Sequence, residues 1–208
     1  MTTYRVQMRF AKQGDLRWIS HRDLVRTFER MFRRAGVSLG MTQGYHPRPK
    51  LTFPSALALG VEATDEIMEF LLAEEANSEE LRTKIQSVAP EGLTIGTIRI
   101  RTMQDPKVQV CHVTYSFPIP PDRVKECQSR ADEIMNSETY LVERNDGTQV
   151  DLHTNLEHIS VEESLLQLSL AVDASGGTKP KDILRALQLE DLLTHGRYLT
   201  RTKVEIRA

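Results

Sequence analysis

Polar and apolar residues alternate at the start of the chain, and this alternation predicts a β-strand over residues 4–11. Tyr4, Val6, Met8 and Phe10 would share one face of the strand, as a half-buried strand requires. Further alternating and helical patterns follow. They predict a helix at 20–35, strands near 50–54 and at 66–73, a helix at 78–88 and a strand at 93–102.

The second half of the chain predicts the same order of elements again. Its patterns indicate a strand at 108–119, a helix at 121–136, a short strand at 138–144, an alternating strand within 158–172, a helix opening at Lys179-Pro180-Lys181-Asp182 and a last strand from Tyr198 to Ile206. The order β-α-β-β-α-β is ferredoxin-like. We therefore predict an α+β protein of two tandem ferredoxin-like (β-α-β-β-α-β) units, at 1–104 and 105–208, with a hinge near 103–107.

The composition is that of a soluble globular protein. Hydrophobic residues make up 39% of the 208 residues and charged residues 27%, and no run approaches the ~20 apolar residues of a membrane span. The first residues, MTTYRVQMRF, lack the apolar block of a secretory signal. We expect a cytoplasmic protein that does not enter a membrane, in which Cys111 and Cys127 are reduced thiols.

The net charge of −2 hides a strong polarity along the chain. Residues 1–54 carry eleven Lys/Arg and three Asp/Glu, a balance of +8, whereas residues 55–100 carry three and nine, a balance of −6. A local basic surface attracts phosphates within a Debye length of ~10 Å. The first hypothesis is therefore binding of RNA or another polyanion by the N-terminal segment.

The arginines of the first helix are the main candidates for this contact. An apolar stripe on the helix predicts the side that packs on the sheet; it consists of Leu24, Phe28, Met31, Phe32 and Ala35. Arg22, Arg26 and Arg33 fall on the opposite side, with Arg30 and Arg34 flanking them. A solvated face with a Glu29–Arg33 pair is the alternative interpretation, but two acidic residues cannot neutralise five arginines.

The polar residues at the start of this helix are better explained by capping than by catalysis. Ser20 and Asp23 have the spacing of a capping box, with the serine hydroxyl accepting from the Asp23 amide. His21 would lie in the first turn, near the edge of the apolar stripe. Packing is the favoured role for His21, and general acid/base work in RNA cleavage is the alternative.

A basic loop follows the helix and runs from Gln43 to Lys50. Two prolines stiffen it, so His46, Arg48 and Lys50 would lose little freedom on binding. Tyr45 could stack on an unpaired base while Arg48 clamps a phosphate. A rigid connector whose basic side chains only face water is an equally plausible interpretation.

Other functional templates are absent from the sequence. It has no glycine-rich phosphate loop and no His-Glu-x-x-His motif. The spacing of Asp151, His153, Glu157 and His158 suits a turn better than a metal site. We therefore predict no metal, no cofactor and no established catalytic residue.

One long segment resembles a known family. It reads YRVQMRFAKQGDLRWISHRDLVRTFERMFRRAGV, continues as TQGYHPRPKLTFPSALALGVE, and is similar to the N-terminal signature of the radical SAM-linked domain of unknown function. Lys179-Pro180-Lys181-Asp182-Ile183-Leu184 and Leu199-Thr200-Arg201-Thr202 also fit. The resemblance implies a radical SAM protein as partner, fused or encoded nearby. Because this chain lacks CxxxCxxC, iron-sulfur chemistry would belong to that partner.

Three functional hypotheses follow from these residues. The preferred one is a non-catalytic RNA-binding accessory module that positions tRNA or rRNA for the radical SAM partner. The second is a metal-independent endoribonuclease using His21 or His46, since the tandem organisation is similar to that of CRISPR repeat-processing endoribonucleases, an analogy at the level of fold. The third is an adaptor whose basic face docks an acidic surface of the radical SAM enzyme.

Overall fold

A computed structural model describes residues 4–172 and 177–207 of the chain. Over these ranges the protein is mixed α+β, as predicted, with ten strands and five α-helices. The chain divides into two compact units. The first runs to Val110, the second extends from Cys111 to Glu205, and Ile206 belongs to the first unit again.

The first unit has the predicted order of elements. These are β1 (Tyr4–Lys12), α1 (His21–Arg34), β2 (Leu51–Thr52), β3 (Glu62–Leu72), α2 (Ser78–Gln86) and β4 (Leu93–Arg101). A 3₁₀ turn, Gly14–Trp18, precedes α1. Within this unit β4 pairs with β1, β1 with β3, and β3 with β2, and all three pairings are antiparallel.

The core of the first unit lies between these strands and the apolar side of α1. Alternate residues of β1 contribute Val6, Met8 and Phe10, all almost fully buried. From α1, Leu24, Phe28, Met31 and Phe32 are buried, which confirms most of the predicted stripe. Ala35 is half-buried at the end of the helix. Burying one side of α1 in this core leaves its other side facing solvent.

Both ends of α1 are closed by local hydrogen bonds. Ser20 Oγ accepts from the Asp23 amide at 3.2 Å, as predicted, and donates to Asp23 Oδ2 at 2.7 Å. At the other end Gly36 adopts φ +65°, its amide bonds to the Arg33 carbonyl, and the Val37 amide bonds to the Phe32 carbonyl. This Schellman arrangement needs a left-handed residue, which is why glycine stands at position 36.

The second unit has more elements than its sequence pattern predicts. They are β5 (Gln109–Pro118), α3 (Val124–Asn136), β6 (Leu141–Glu143), β7 (Gln149–Asp151), β8 (Leu156–Glu162), β9 (Leu165–Ala171), α4 (Pro180–Ala186), α5 (Asp191–Thr194) and β10 (Thr200–Arg207). The strand order is β10-β5-β9-β8, and β6 and β7 form a separate hairpin.

Two element predictions in this unit differ from the structure. Residues 158–172 contain the predicted alternating strand, β9, but also most of a second strand, β8, which pairs with it antiparallel across a tight turn at Glu163, where φ is +55°. Residues 121–123 form a 3₁₀ turn, so the helix predicted from 121 begins at Val124. The buried side of β9 is as predicted, because Leu166, Leu168 and Leu170 point into the core.

Candidate nucleic-acid interface

The solvent-facing side of α1 is basic along its whole length. Five arginine side chains of this helix are exposed: Arg22, Arg26, Arg30, Arg33 and Arg34. Their orientation follows from the burial of Leu24, Phe28 and Phe32 on the opposite side. The helix therefore presents a row of guanidinium groups, which are suited to binding phosphate oxygens.

Local acidic residues neutralise little of this charge. Arg26 lies 3.5 Å from Asp23 in an exposed pair, which holds its two partners only weakly. Arg30 donates to the hydroxyl of Thr27 at 3.4 Å. In the part of the chain that the structure describes, Arg22, Arg33 and Arg34 form no ion pair, and the Glu29–Arg33 pair considered from the sequence is not formed.

Asp23 is the carboxylate that forms an ion pair with one of these arginines, Arg26. Its pKa is lowered below the ordinary 3.8, mainly by the hydrogen bond from the Ser20 hydroxyl and then by Arg26 and Arg22. Asp23 is therefore ionised at neutral pH and accepts from the first turn of α1. This role at the helix start leaves the arginines farther along the helix, Arg30, Arg33 and Arg34, without a carboxylate of their own.

The basic loop after α1 is closed at its base by backbone contacts. Met41 and Pro49 form an antiparallel bridge. The Thr42 amide donates to the Arg48 carbonyl at 2.8 Å, and the Arg48 amide donates to Thr42 Oγ1 at 3.0 Å. The Lys50 amide bonds to the Gly40 carbonyl at 3.2 Å. Only the tip, residues 43–47, lies outside these bonds.

The tip of the loop presents an aromatic side chain to solvent. Tyr45 is 95% exposed, and its ring meets the ring of His46 edge to face, with centroids 5.0 Å apart. His46, Arg48 and Lys50 are also exposed. No hydrogen bond or ion pair of the described residues joins this loop to the arginines of α1. Helix and loop are two separate basic elements of one unit.

An exposed tryptophan near α1 was not singled out from the sequence. Trp18, the only tryptophan of the chain, is 60% exposed, and the Arg17 guanidinium lies 5.1 Å from its ring centre. Gly60 packs against the ring, where an added Cβ would come within 3.0 Å of it. The signal in the sequence was the Arg-Trp pair directly before a basic helix. Such a pair offers a stacking platform beside a cation.

Two buried charged side chains beside His21 were also missed. Lys12 and Glu66 are 2% and 3% exposed, and they line a pocket of about 10 Å³, room for about one water molecule. Ser20, His21, Phe53 and Ser55 also line the pocket. The exposed His21 ring meets the Phe53 ring edge-on, with centroids 5.1 Å apart. Charged side chains this deeply buried often mark functional sites.

The polar cluster of the second unit is divided among separate hydrogen bonds. Asp151 Oδ1 accepts from the amides of Tyr140 and His153. The His153 ring bonds to the Ile134 carbonyl, and Glu157 contacts His112 at 2.9 Å. Within residues 4–172 and 177–207, no three His, Cys, Asp or Glu side chains converge as metal ligands would. No described helix is both long and apolar enough to span a membrane.

Comparison with known proteins gives a family but no activity. Residues 5–185 match the sequence profile of a family described as "Uncharacterized protein conserved in bacteria (DUF2344)". No curated protein matches the chain. Among solved structures, a protein described as an unknown protein from Galdieria sulphuraria aligns over 100% of this chain and 99% of its own, with 12% identity and a TM-score of 0.28.

Proposed function

The chain belongs to the DUF2344 family of uncharacterized bacterial proteins, and we propose from its own geometry that it is an RNA-binding accessory module. In this proposal the protein has no catalytic role and holds a structured RNA, tRNA or rRNA, for a radical SAM partner. The observation that carries the proposal is the exposed arginine side of α1, where four of the five guanidinium groups form no ion pair with a carboxylate in the described chain.

A row of exposed arginines is better suited to binding a polyanion than to facing water alone. Exposed arginines repel one another, and a phosphate backbone relieves that repulsion while releasing its own counterions. Arg22, Arg26, Arg30 and Arg33 would contact phosphates spaced along α1. Because guanidinium groups bind phosphate oxygens bidentately, such contacts position an RNA without reading its sequence.

The loop adds a second kind of contact. Tyr45 would stack on an unpaired base, and Arg48 and Lys50 would hold the adjacent phosphates. The backbone bonds that close the loop base keep it ordered before binding, which lowers the entropy lost on association. A base available for stacking is found in loops and bulges of folded RNA, which favours a structured RNA over a regular duplex.

Two finer parts of the proposal have separate support. The antiparallel strand order β4-β1-β3-β2 around α1 and α2 supports a ferredoxin-like assignment for the first unit. The radical SAM partner rests on the resemblance of the N-terminal segment. The absence of CxxxCxxC from the sequence leaves the cluster chemistry to that partner.

The test is a charge reversal on α1 with a matched control. Arg26→Glu with Arg33→Glu should weaken binding to total tRNA by at least about tenfold at low salt, since several phosphate contacts are lost. Lys125→Glu with Lys181→Glu makes the same change in net charge at exposed positions of the second unit and should leave binding unchanged. Equal affinities for all three proteins would refute the proposal.

The same variants also address the adaptor alternative. If the purified protein shifts no RNA at low salt but captures a radical SAM protein, the basic side of α1 is a protein-docking surface. The α1 reversal would then abolish capture of the enzyme. Retention of RNA binding by the control, together with loss in the α1 variant, assigns the surface to RNA.

A second candidate function is metal-independent RNA cleavage, favoured by the exposure of His21 at the start of the basic helix. A general acid/base must reach the RNA, and an exposed imidazole beside the arginines of α1 lies where a bound phosphate would be. Cleavage in EDTA that His21→Ala abolishes, with RNA binding retained, would support this function; His46→Ala tests the other histidine. No cleavage of tRNA, rRNA or hairpin RNA would exclude it.

A further inference from the structure

Strand β4 forms one edge of the sheet in the described chain. It pairs with β1 along its length, from Arg5 opposite Arg101 to Lys12 opposite Leu93, and no described strand pairs with its other side. An edge of this kind presents backbone N–H and C=O groups that an additional strand can pair with. At nine residues, β4 is long enough to hold a short extended peptide.

A groove of about 800 Å³ lies beside this edge. Four consecutive residues of β4 line it, Ile98 to Arg101, together with Gln7, Ile206 and the residues that open α2, Ala76 to Ser78. The groove therefore follows the edge strand itself. The groove runs along four strand residues and is open on one side, so it suits an extended chain better than a compact small molecule.

The charged residues that line the groove are both arginines. Neither Arg99 nor Arg101 forms an ion pair or hydrogen bond in the described part of the chain. The carboxylate of Asp105, just beyond β4, accepts from the amide and hydroxyl of Thr102, and the charge of Arg101 also acts on it without forming an ion pair. Because the two arginines are two residues apart, they project from the same side of the strand.

A side-chain amide lines the groove beside the arginines. Gln7 lies directly opposite Arg99 on the neighbouring strand, and its side chain makes no hydrogen bond in the described chain. Among the described residues it is not one of the buried side chains that lack a partner, so its amide faces the groove and is available to a ligand. Arginines on an edge can also serve to prevent aggregation, and the peptide titration below distinguishes the two roles.

We propose that the β4 edge binds an extended acidic segment of a partner protein, which adds to the sheet as a further strand. The backbone of the segment would pair with β4 at Ile98 to Arg101. Acidic side chains two residues apart would meet Arg99 and Arg101, because cross-strand neighbours on one side of a sheet lie ~5 Å apart. This surface is distinct from the basic side of α1 and carries a different ligand.

The test uses a capped hexapeptide of alternating valine and glutamate as probe. Titration followed by amide NMR should shift the signals of β4, and binding should slow the hydrogen exchange of Ile98 to Arg101. Arg99→Gln with Arg101→Gln should weaken binding roughly five- to tenfold, as expected for two exposed charge pairs. Lys125→Gln with Lys181→Gln, which removes the same charge elsewhere, should bind as the unmodified protein does.

A second probe separates strand addition from simple charge attraction. The same hexapeptide with alternate amide nitrogens methylated keeps its three charges and its length but cannot pair along one edge, so it should lose binding. Equal binding of the methylated peptide, or shifts confined to α1 and the loop, would overturn the proposal. So would no binding of either peptide, or tRNA binding that the Arg99/Arg101 substitutions abolish.

Discussion

Tyr45 is an exposed aromatic side chain that packing does not explain. An aromatic ring that is 95% exposed gains nothing from the core, and its loop is already closed by backbone bonds. Its removal should therefore leave the stability of the protein unchanged while affecting a bound base. This combination makes Tyr45 a sharper probe of RNA binding than any one arginine.

Tyr45→Ala should lower the affinity for a tRNA or hairpin RNA by about 1–3 kcal/mol, the contribution of one stacked base. Tyr45→Phe keeps the ring and should bind within about twofold of the unmodified protein, because stacking does not need the hydroxyl. Fluorescence anisotropy with labelled RNA measures both, and thermal unfolding controls for stability. Unchanged affinity in the alanine variant would remove stacking from the proposed interface.

Cys127 illustrates a residue whose chemistry is suppressed by its position. It is 1% exposed on α3, and burial, helped by the nearby Glu126 carboxylate, raises the pKa of its thiol to about 11. At pH 8 the thiol is protonated and shielded. In a Cys111→Ala protein, which leaves Cys127 as the only thiol, Ellman's reagent should react rapidly only after unfolding in guanidinium. Fast reaction of the native variant would contradict this burial.

Two residues of the His21 pocket show where reasoning from residue type fails. Lys12 continues the alternation of Met8 and Phe10 and lies on the same side of β1, yet a lysine at that position looks like the exposed end of a strand. Glu66 stands opposite Phe10 on β3. Burial of a lysine and a glutamate depends on tertiary neighbours, which the alternation pattern does not contain. The exposed arginines of α1, in contrast, followed directly from the helical wheel.

At the scale of elements, the start of α4 depends on one buried ion pair. Arg144 lies 2.5 Å from Asp182, which is 5% exposed and also accepts from the Lys179 amide at the first turn. Asp182→Asn would leave the guanidinium without its charged partner and should destabilise the protein by roughly 3 kcal/mol. Asp191→Asn, at the exposed Arg123–Asp191 pair, is the matched control and should cost much less. Chemical denaturation measures both.

The same carboxylate predicts a pH dependence of stability. Burial acts to raise the pKa of Asp182, but the hydrogen bonds from Arg144 and Lys179 and the charge of Arg144 outweigh it, so its pKa is lowered below 3.8. The stabilisation is present above the unfolded pKa and is lost as pH falls through the folded value. The unmodified protein should therefore lose more stability below about pH 4 than Asp182→Asn does. If the free energy of unfolding fell equally with pH in the unmodified protein and in Asp182→Asn, this prediction would be contradicted.

Elements were predicted well where the sequence marks their ends. Ser20 and Gly36 bound α1 through side-chain and backbone chemistry that residue type reveals, and Asn77 marks the start of α2 in the same way. The turn between β8 and β9 has no such mark. Glu163 adopts a left-handed φ that favours glycine or asparagine, so the alternation seemed to continue as one strand. The β6–β7 hairpin, in contrast, is marked by Asn145-Asp146-Gly147, a strong turn signal that the single strand predicted at 138–144 did not take into account.

At the scale of the whole molecule, the sequence balance of +8 in residues 1–54 predicts how binding responds to salt. Each phosphate contact to a single-stranded region contributes about 0.7 to the slope of log affinity against log salt. Loss of two contacts in the Arg26/Arg33 reversal should lower the slope by about 1.4. Affinities for tRNA at several salt concentrations measure this. An unchanged slope would place those arginines outside the interface.

The division of the chain into units has a consequence for its synthesis. Ile206 belongs to the first unit and lines the groove beside β4, yet it follows the whole of the second unit in the chain. During translation the ribosome therefore completes the first unit only after residues 111–205 have been made. A nascent chain that has stalled within the second unit lacks one of the residues that line the groove. Docking at β4 would in this way depend on the release of residue 206 from the ribosome.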